Sequence, residues 1–247
     1  MSRRLIVNAD DWGLTRGVSE GILAAHRHGI VTSTTVLVTA DLDRDLVARL
    51  LDSDLGVGVH VNLTLGRPLT RGGSLKDGDG RFVRDARRAA ARVTTADARR
   101  EIEAQIAKFQ KVFRRAPTHL DTHHHVGLHA PVREIILDVA RALRVPVRSQ
   151  DAAARTRARS AGLRTPDHFF GESGPGAYWS PATTLAMLRA LPDGVSEFMT
   201  HPGWFDADLA YSRYGRQRET EMIGLGTSAA RASAAALGIT LCSFAAL

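Results

Sequence analysis

Cysteine is almost absent from this chain of 247 residues, in which Cys242 is the single example. One cysteine cannot form an internal disulfide, and it cannot supply the several thiolates of a structural zinc cluster. The chain does contain 10 histidines and 26 acidic residues. A metal site would therefore have to consist of imidazoles and carboxylates.

Long apolar runs are also missing. No stretch approaches the roughly 20 residues that a membrane-spanning helix needs, and the first apolar segment begins at Leu5 without the pattern of a signal peptide. We therefore expect a cytoplasmic protein without a membrane span. A Walker phosphate loop is absent too, which argues against nucleotide-dependent chemistry.

Lysine is scarce, so arginine supplies nearly all of the 33 basic residues. The net charge of +7 and the isoelectric point near 10.4 would be compatible with nucleic-acid binding. However, the arginines are spread through alanine-rich segments, and no ladder of aromatic residues accompanies them. We expect no nucleic-acid partner, although the positive charge would favour an anionic or sugar-like small molecule.

Strand and helix patterns alternate along most of the chain. The length and the hydrophobic fraction of 44% suit one domain over residues 1–247, with irregular excursions near 64–93 and 149–180. The alternation predicts an α/β fold with parallel strands, and we favour a TIM-like (β/α) barrel, whole, incomplete or distorted, over a doubly wound sheet. Periodicity and capping residues predict strands at 5–13, 32–38, 55–63, 118–123, 145–148, 195–200 and 239–244, and helices at 15–29, 42–51, 94–113, 131–143, 181–191 and 217–237.

Residues of catalytic types follow five of the predicted strands. The adjacent carboxylates Asp10 and Asp11 end the first strand, and their mutual repulsion makes burial costly unless a cation or a shared proton relieves it. In a barrel, the carboxyl ends of the strands form the face on which the active site assembles. The other residues at predicted strand ends are His60, Asn62, Asp121, His123, His124, His125, Arg148 and His201.

The stretch around the three consecutive histidines gives the sharpest chemical signal. In a continuing strand, Asp121, His123 and His125 would face one side and His124 the other. Imidazoles and a carboxylate presented in this way suit Zn²⁺, Mn²⁺ or Mg²⁺ with an open position for water and substrate. A surface histidine tract and a lone core histidine at His60 are the structural alternatives. The coincidence with Asp11 favours the functional interpretation.

Five motifs together resemble one known family. The motifs are NADDWG at 8–13, GIVTSTT at 29–35, GVHVNLT at 58–64, PTHLDTHHHV at 117–126 and THPG at 200–203. In combination they are similar to the YdjC-like carbohydrate deacetylases, which include chitooligosaccharide deacetylases and hopanoid-associated proteins. The resemblance reaches about residue 205. It implies a barrel-like α/β fold and the metal-dependent removal of an acetyl group from an N-acetylated amino sugar.

Carried over position by position, the resemblance implies that Asp11, His60 and His123 bind one divalent ion, Mg²⁺ or Zn²⁺. It also implies that Asp10 is the general base and His201 the general acid. The strand alternation by itself allows either His123 or His125 as the ligand.

We expect Asp121 and His125 to support these ligands from the second coordination sphere. Arg148 would serve the acid, the base or a sugar hydroxyl, or else form an ordinary salt bridge, and Asn62 and Trp12 would also contact substrate. Trp12 stands where phenylalanine is commoner in the family, and Asn62 stands where chitooligosaccharide deacetylases can carry an apolar residue. Trp179 and Trp204 are further candidates for stacking on a sugar ring, with core packing as the alternative for each.

Two other functional classes remain open at this point. The first is a different metal hydrolase on a similar barrel, acting on cyclic amides or phosphoesters, and the second is a non-catalytic sugar-binding protein with a structural histidine cluster. The resemblance is compatible with a homodimer, although nothing in the sequence marks an interface.

Overall fold

The structure is a computed structural model that describes residues 2–247. Its strands are β1 (Arg3–Trp12), β2 (Ser33–Val36), β3 (Gly56–Val61), β4 (Leu120–Thr122), β5 (His168–Phe170), β6 (Gly194–Thr200) and β7 (Thr240–Leu241). Its α-helices are α1 (Arg16–His28), α2 (Arg44–Leu51), α3 (Ala86–Arg92), α4 (Thr95–Phe113), α5 (Val132–Leu143), α6 (Ala152–Ser160), α7 (Pro181–Arg189), α8 (Gln217–Leu225) and α9 (Ser228–Ala236).

The strands form a sheet with the order β4-β3-β2-β1-β6-β5, and β7 also pairs with β1. The pairings of β1 with β6 and β7, of β3 with β4 and of β5 with β6 are parallel. The first four strands neighbour one another in chain order, and β6 returns to β1, which is the neighbour order of a (β/α) barrel. The predicted α/β class is confirmed, in the incomplete form that the prediction included.

Capping residues fix the ends of the helices that the sequence predicts best. Thr15 begins α1 by accepting a hydrogen bond from the amide of Val18, and Thr94 begins α4 by accepting one from the amide of Asp97. The second half of a capping box does not form at α4, because the Asp97 carboxylate accepts from Ser74 instead. The apolar residues of α4 form a buried stripe of Ile102, Ile106, Phe109 and Phe113.

The two excursions contain more regular structure than predicted. Residues 64–93 include α3, and residues 149–180 include α6 and β5. Both helices have an aspartate cap, at Asp85 and Asp151, but they bury only two residues and one residue, respectively. Without an apolar stripe, neither helix gives the periodic pattern on which the prediction relied.

Three predicted elements outside these stretches also differ from the structure. The strand predicted at 145–148 is reduced to a single bridge between Val147 and Leu120, because Pro146 has no amide hydrogen to continue a ladder. The long helix at 217–237 is interrupted after Leu225, where Thr227 caps a separate helix. The last strand, β7, keeps only two of the six predicted residues.

The chain divides into two compact units. The first consists of residues 1–35, 42–57 and 166–247, and the second of residues 36–41 and 58–165. In the first unit, β1 is buried along eight of its ten residues and pairs with β6 so that Ala9 lies opposite Thr200. Helix α1 lies so close to the loop after β6 that a Cβ atom on Gly21 would fall 2.6 Å from the Cα atom of Gly203. The ends of β1 and β6 are therefore held together by backbone packing.

The second unit places the end of β3 beside β4, with His60 opposite Asp121. Phe109 and Phe113 of α4 stack at 4.5 Å in its core. Gln105 of the same helix accepts a hydrogen bond from the amide of Asn62 and donates one to its carbonyl oxygen. These two bonds fix the backbone immediately after β3.

Among residues 2–247, no helix combines the length and the apolar character that crossing a bilayer requires. Residues 17–21, GVSEG, match the spacing of a nucleophile elbow. However, Ser19 lies inside α1 with its side chain buried, accepting a hydrogen bond from Gly13 and donating one to Thr15. The Ser19 hydroxyl is therefore used in hydrogen bonds at the start of α1 and is not presented as a nucleophile.

Candidate active site

In the first unit, β1 ends in the two predicted carboxylates. Asp10 and Asp11 are 2% and 3% exposed. The side chain of Asn8 donates a hydrogen bond to Oδ1 of Asp10 at 2.8 Å. Asp11 has φ of +71°, a conformation that non-glycine residues adopt rarely and that is common at functional sites. The chain turns at Asp11, and the carboxylates of Asp10 and Asp11 have different partners, Asn8 and Arg218.

His201 follows the adjacent strand, β6. Its Nε2 lies 4.0 Å from Oδ2 of Asp10, which is beyond hydrogen-bond length but within electrostatic range. Its backbone amide donates a hydrogen bond to Oε2 of Glu221 at 2.5 Å. The predicted base and the predicted acid, 191 residues apart in the sequence, thus form a neighbouring carboxylate–imidazole pair.

Three further polar residues of the first unit form hydrogen bonds with Asp11, with His201 or with one another. Arg218 of α8 donates from Nη2 to Oδ2 of Asp11 at 2.6 Å, and both side chains are at most 4% exposed. Arg218 also donates from Nε to the carbonyl oxygen of Tyr214 at 3.0 Å. The Tyr214 hydroxyl donates to Oε1 of Glu221. Sequence reasoning missed Arg218, Glu221 and Tyr214.

Burial raises the pKa values of two of these residues, Glu221 and Tyr214. Desolvation raises the pKa of Glu221 to about 7, although the hydrogen bonds from Tyr214 and His201 and the charge of Arg218 act in the opposite direction. The pKa of Tyr214 is also raised, chiefly by burial and then by the neighbouring Glu221 charge. Near neutral pH, Glu221 therefore changes charge inside the folded protein.

We expect the Glu221 carboxyl to make folding stability fall as pH rises from about 4.5 to about 7. Unfolded Glu221 loses its proton near the ordinary value of 4.5, whereas the folded form keeps it up to about 7, so the folded state binds more protons in this range. The free energy of unfolding should decrease by an amount on the order of 3 kcal/mol. Urea unfolding of wild type and Glu221→Gln at pH values between 4 and 8 measures the difference, because the variant lacks this titration.

Glu219→Gln on the same helix is the matched control for that experiment, since the Glu219 side chain is 39% exposed. Its stability should follow the wild-type pH dependence. Parallel pH profiles for wild type and Glu221→Gln would contradict the assignment.

In the second unit, a buried chain of three residues begins at His60. Nδ1 of His60 lies 2.6 Å from Oδ1 of Asp121, and Nη1 of Arg148 lies 2.8 Å from Oδ2 of Asp121. A carboxylate only accepts hydrogen bonds, so Nδ1 of His60 carries a proton. Asp121 holds His60 in the tautomer and orientation that metal-binding imidazoles use.

The histidine tract does not continue β4 as predicted. Residues His123–Leu128 form a 3-10 segment in which His124 and His125 have left-handed backbone conformations. Strand alternation therefore does not apply beyond Thr122 and does not decide the directions of His123 and His125. The turn separates their environments: His123 is buried with its ring 5.2 Å from that of His60, whereas Nδ1 of the half-buried His125 lies 3.1 Å from Nε2 of Gln150. His123 thus fits the proposed ligand position better than His125.

Asn62 has a structural environment and not the predicted substrate-binding one. Its side-chain nitrogen donates to Thr39 and to the carbonyl of Leu65, and its side-chain oxygen accepts from the amides of Thr64 and Leu65. These bonds use both donors and both lone pairs of the amide. Asn62 is 1% exposed and fixes the loop after β3.

Asn62→Ala is consequently expected to destabilise the protein by about 2 to 3 kcal/mol, because it leaves several buried loop groups without partners. KM of the folded protein for substrate should change less than about threefold. Denaturant unfolding and steady-state kinetics measure the two quantities. A large rise in KM without loss of stability would restore the substrate-binding role.

Arg148 and Trp12 are both buried. Arg148 is 7% exposed and paired with Asp121, so it corresponds to the salt-bridge alternative. Trp12 is fully buried, as is Trp179, which stacks on Phe198. A buried ring offers no face to a sugar, whereas Trp204 is 43% exposed three residues after His201.

Helix α8 carries a sequence signal that would have revealed two of the three missed residues, Arg218 and Glu221. Arg218 and Glu221 are three positions apart, and residues at this spacing share a helix face. Both are buried together with Met222 and Leu225. Charged residues on the apolar face of a helix are unusual and require partners.

The residues that end β1 and β3, together with those near β4, are suitable metal ligands by their chemistry. Asp11, His60 and His123 are buried, and each offers one ligand atom of a type that binds divalent cations. Asp10 and Asp121 are further buried groups of this type. The donor set fits Zn²⁺ and also harder divalent ions.

Comparisons with known proteins agree with the motifs. A family model described as YdjC-like protein matches residues 4–234. A carbohydrate deacetylase of Geobacillus stearothermophilus is 37% identical over 99% of this chain and 98% of its own length. A chitooligosaccharide deacetylase of Proteus mirabilis is 34% identical over 98% of this chain and 97% of its own.

A solved structure is similar along the whole chain. A protein from Enterococcus faecalis V583, provisionally named a cellobiose-phosphate cleavage protein, superimposes with a TM-score of 0.89 at 30% identity, covering 100% of this chain and 99% of the other. A carbohydrate esterase domain of a xylanase from a termite hindgut metagenome gives a TM-score of 0.57 at 8% identity, over 98% of this chain and 88% of that domain, and is therefore similar in fold alone.

Proposed function

Because the chain belongs to the YdjC-like protein family, we propose that it is a metal-dependent hydrolase that removes an N-acetyl group from an acetylated amino sugar. A related oligosaccharide or glycolipid would carry the same group. The observation that carries this proposal is the buried pair of Asp10 and His201, with 4.0 Å between carboxylate and imidazole at the ends of adjacent strands. Such a pair can accept and donate the two protons that amide hydrolysis moves.

We assign Asp11, His60 and His123 as the ligands of one divalent cation, Mg²⁺ or Zn²⁺. Their burial and donor types support this assignment, as does the hydrogen bond between Nδ1 of His60 and Asp121, which fixes the ring. A divalent cation supplies Lewis acidity, which polarises an acetyl carbonyl and lowers the pKa of water. Asp121 and Arg148 have a supporting role, because they fix His60 and balance the carboxylate charge.

Asp10 is the proposed general base. Asn8 donates a hydrogen bond to Oδ1 of its carboxylate, and Oδ2 lies on the side of His201, where it would accept a proton from the attacking water. His201 is the proposed general acid. Its proton goes to the amide nitrogen of the sugar as the bond to the acetyl carbon breaks, because an unprotonated amine is a poor leaving group. The products are acetate and the free amino sugar.

Trp204 is the aromatic residue that we propose for sugar stacking, in place of Trp12. Its exposed ring follows His201 in the loop after β6, and aromatic faces of this kind pack against the apolar side of a sugar ring. The carbohydrate and chitooligosaccharide deacetylases among the relatives support a substrate of this class.

Acetate release from N-acetylglucosamine oligomers tests the proposal. The protein is first treated with a chelator and then assayed with and without Mg²⁺ or Zn²⁺, and phosphate release from aryl phosphates is measured in parallel. We expect acetate release that depends on the cation. Phosphate release without acetate would favour a phosphoesterase, and binding of the oligomers without either product would favour a sugar-binding protein.

A further inference from the structure

Helix α8 carries two buried charged residues that both reach the proposed active site. Arg218 is 2% exposed and Glu221 is 0% exposed. Neither residue follows a strand, which is where the other proposed site residues lie. Burying ionisable groups, even in an ion pair such as that of Arg218 with Asp11, is a poor source of stability compared with apolar packing, so the retention of both residues on this helix requires another reason.

Arg218 is fixed by two directed hydrogen bonds. Nη2 donates to Oδ2 of Asp11 at 2.6 Å, and Nε donates to the carbonyl oxygen of Tyr214 at 3.0 Å. Within residues 2–247, its buried Nη1 has no hydrogen-bond partner. The planar guanidinium therefore holds one oxygen of Asp11 in a defined position and offsets its negative charge.

Glu221 is likewise fixed by two hydrogen bonds, one of which comes from the backbone of His201. Oε2 accepts the backbone amide of His201, and Oε1 accepts the Tyr214 hydroxyl. The Tyr214 ring lies 5.2 Å from the His201 ring. Glu221 thus fixes the peptide that carries His201 and also the aromatic ring beside the imidazole.

We propose that Arg218 and Glu221 are positioning residues: Arg218 orients the metal ligand Asp11, and Glu221, together with Tyr214, orients the general acid His201. The inference rests on the proposed function and extends it to an element outside the strand ends. It predicts that replacing each of the two residues has a different effect. Loss of Arg218 should affect metal affinity, whereas loss of Glu221 should affect proton donation at unchanged metal affinity.

Arg218→Met and Arg218→Lys test the first role. Metal affinity is measured by competition with a chromophoric chelator, using Zn²⁺ alone, so this readout does not depend on activity. We expect Arg218→Met to weaken Zn²⁺ binding about 10- to 100-fold, the range seen when groups that support metal ligands are removed. Arg218→Lys, which keeps the charge without the planar fork, should recover part of the affinity.

Arg216→Met is the matched control, because Arg216 lies two residues earlier with its side chain 76% exposed. It should bind Zn²⁺ like wild type. Zn²⁺ affinities of folded Arg218→Met and Arg218→Lys within about threefold of wild type would overturn the assignment of Arg218. Circular dichroism identifies the folded samples.

Glu221→Met, Glu221→Gln and Tyr214→Phe test the second role. Glu221→Met removes both acceptors, and we expect kcat to fall about tenfold or more, with Zn²⁺ affinity and KM within about threefold of wild type. The limb of the kcat–pH profile that reports the acid should shift. Glu221→Gln retains acceptor capacity and should lose less, as should Tyr214→Phe. Unchanged kcat and pH profile in folded Glu221→Met would overturn the role of Glu221.

Failure of this inference can be distinguished from failure of the proposed function. If wild type releases no acetate, the deacetylase proposal fails, but the effect of Arg218 on Zn²⁺ affinity remains measurable. The NMR titration of His201 in wild type and Glu221→Met likewise needs no substrate. If wild type is active and both variants match it in Zn²⁺ affinity and in the His201 titration, only the inference about α8 fails.

Discussion

Asp10→Asn is expected to lower kcat/KM for deacetylation about hundredfold or more, because an amide cannot accept the proton of the attacking water. The substitution keeps the size of the side chain. Its oxygen can still accept the hydrogen bond that Asn8 donates to Oδ1 at 2.8 Å. The expected loss is therefore in proton transfer and not in folding. Steady-state kinetics with saturating divalent cation, together with a thermal unfolding midpoint, separates the two.

Asp45→Asn is the matched control for this substitution, since the Asp45 side chain is 68% exposed at the surface of α2. It should retain wild-type activity. A folded Asp10→Asn protein that turns over substrate at more than about a tenth of the wild-type rate would exclude Asp10 as the base. In that event, a different group would accept the proton of the attacking water.

His123→Ala is expected to weaken Zn²⁺ binding by about a hundredfold or more and to abolish measurable deacetylation, because it removes a proposed first-sphere ligand. His125→Ala should change Zn²⁺ affinity less than about tenfold. The two residues have the same side chain and are two positions apart. His123 is buried beside His60, whereas His125 is half-buried and directed to Gln150. Chelator competition with Zn²⁺ measures both affinities.

This comparison decides an alternative that strand periodicity leaves open. Equal losses of affinity in the two variants would mean that both imidazoles bind the cation. A larger loss in His125→Ala than in His123→Ala would reverse the assignment. His124→Ala serves as a third reference, because His124 is exposed and its Nδ1 contacts Thr64.

Much of the fold could be predicted because its elements carry local signals. Thr15 and Thr94 cap helices with clear apolar stripes, and β1 is an apolar run that ends in a turn. Helix α6 was missed because it buries only Ala158, so its formation depends on capping and on its surroundings more than on periodicity.

The candidate site was predictable to the extent that it lies at strand ends. Parallel strands direct their carboxyl ends to the same edge, so Asp10 and His201 could be placed on one face from the strand predictions, whereas the pairing of β1 with β6 was known only from the structure. Side-chain environments were not predictable in this way: the Asn62 amide uses all its donors and acceptors within the protein, Arg148 pairs with Asp121, and Trp12 is buried. A sequence pattern identifies a polar or aromatic residue, but it does not identify the partner that satisfies it.

The sequence by itself determined the residue types available for chemistry, the strands that present most of them and the family to which the chain belongs. These properties depend on local patterns and on motifs of adjacent residues. The tertiary structure decided which groups are engaged with each other: Arg218 with Asp11, Glu221 with His201, and Asp121 with both His60 and Arg148. Such contacts join residues 20 to 207 positions apart. Their geometry follows from the packing of the whole chain, because a buried charged group is stable only where a partner of opposite charge or a hydrogen bond is within reach.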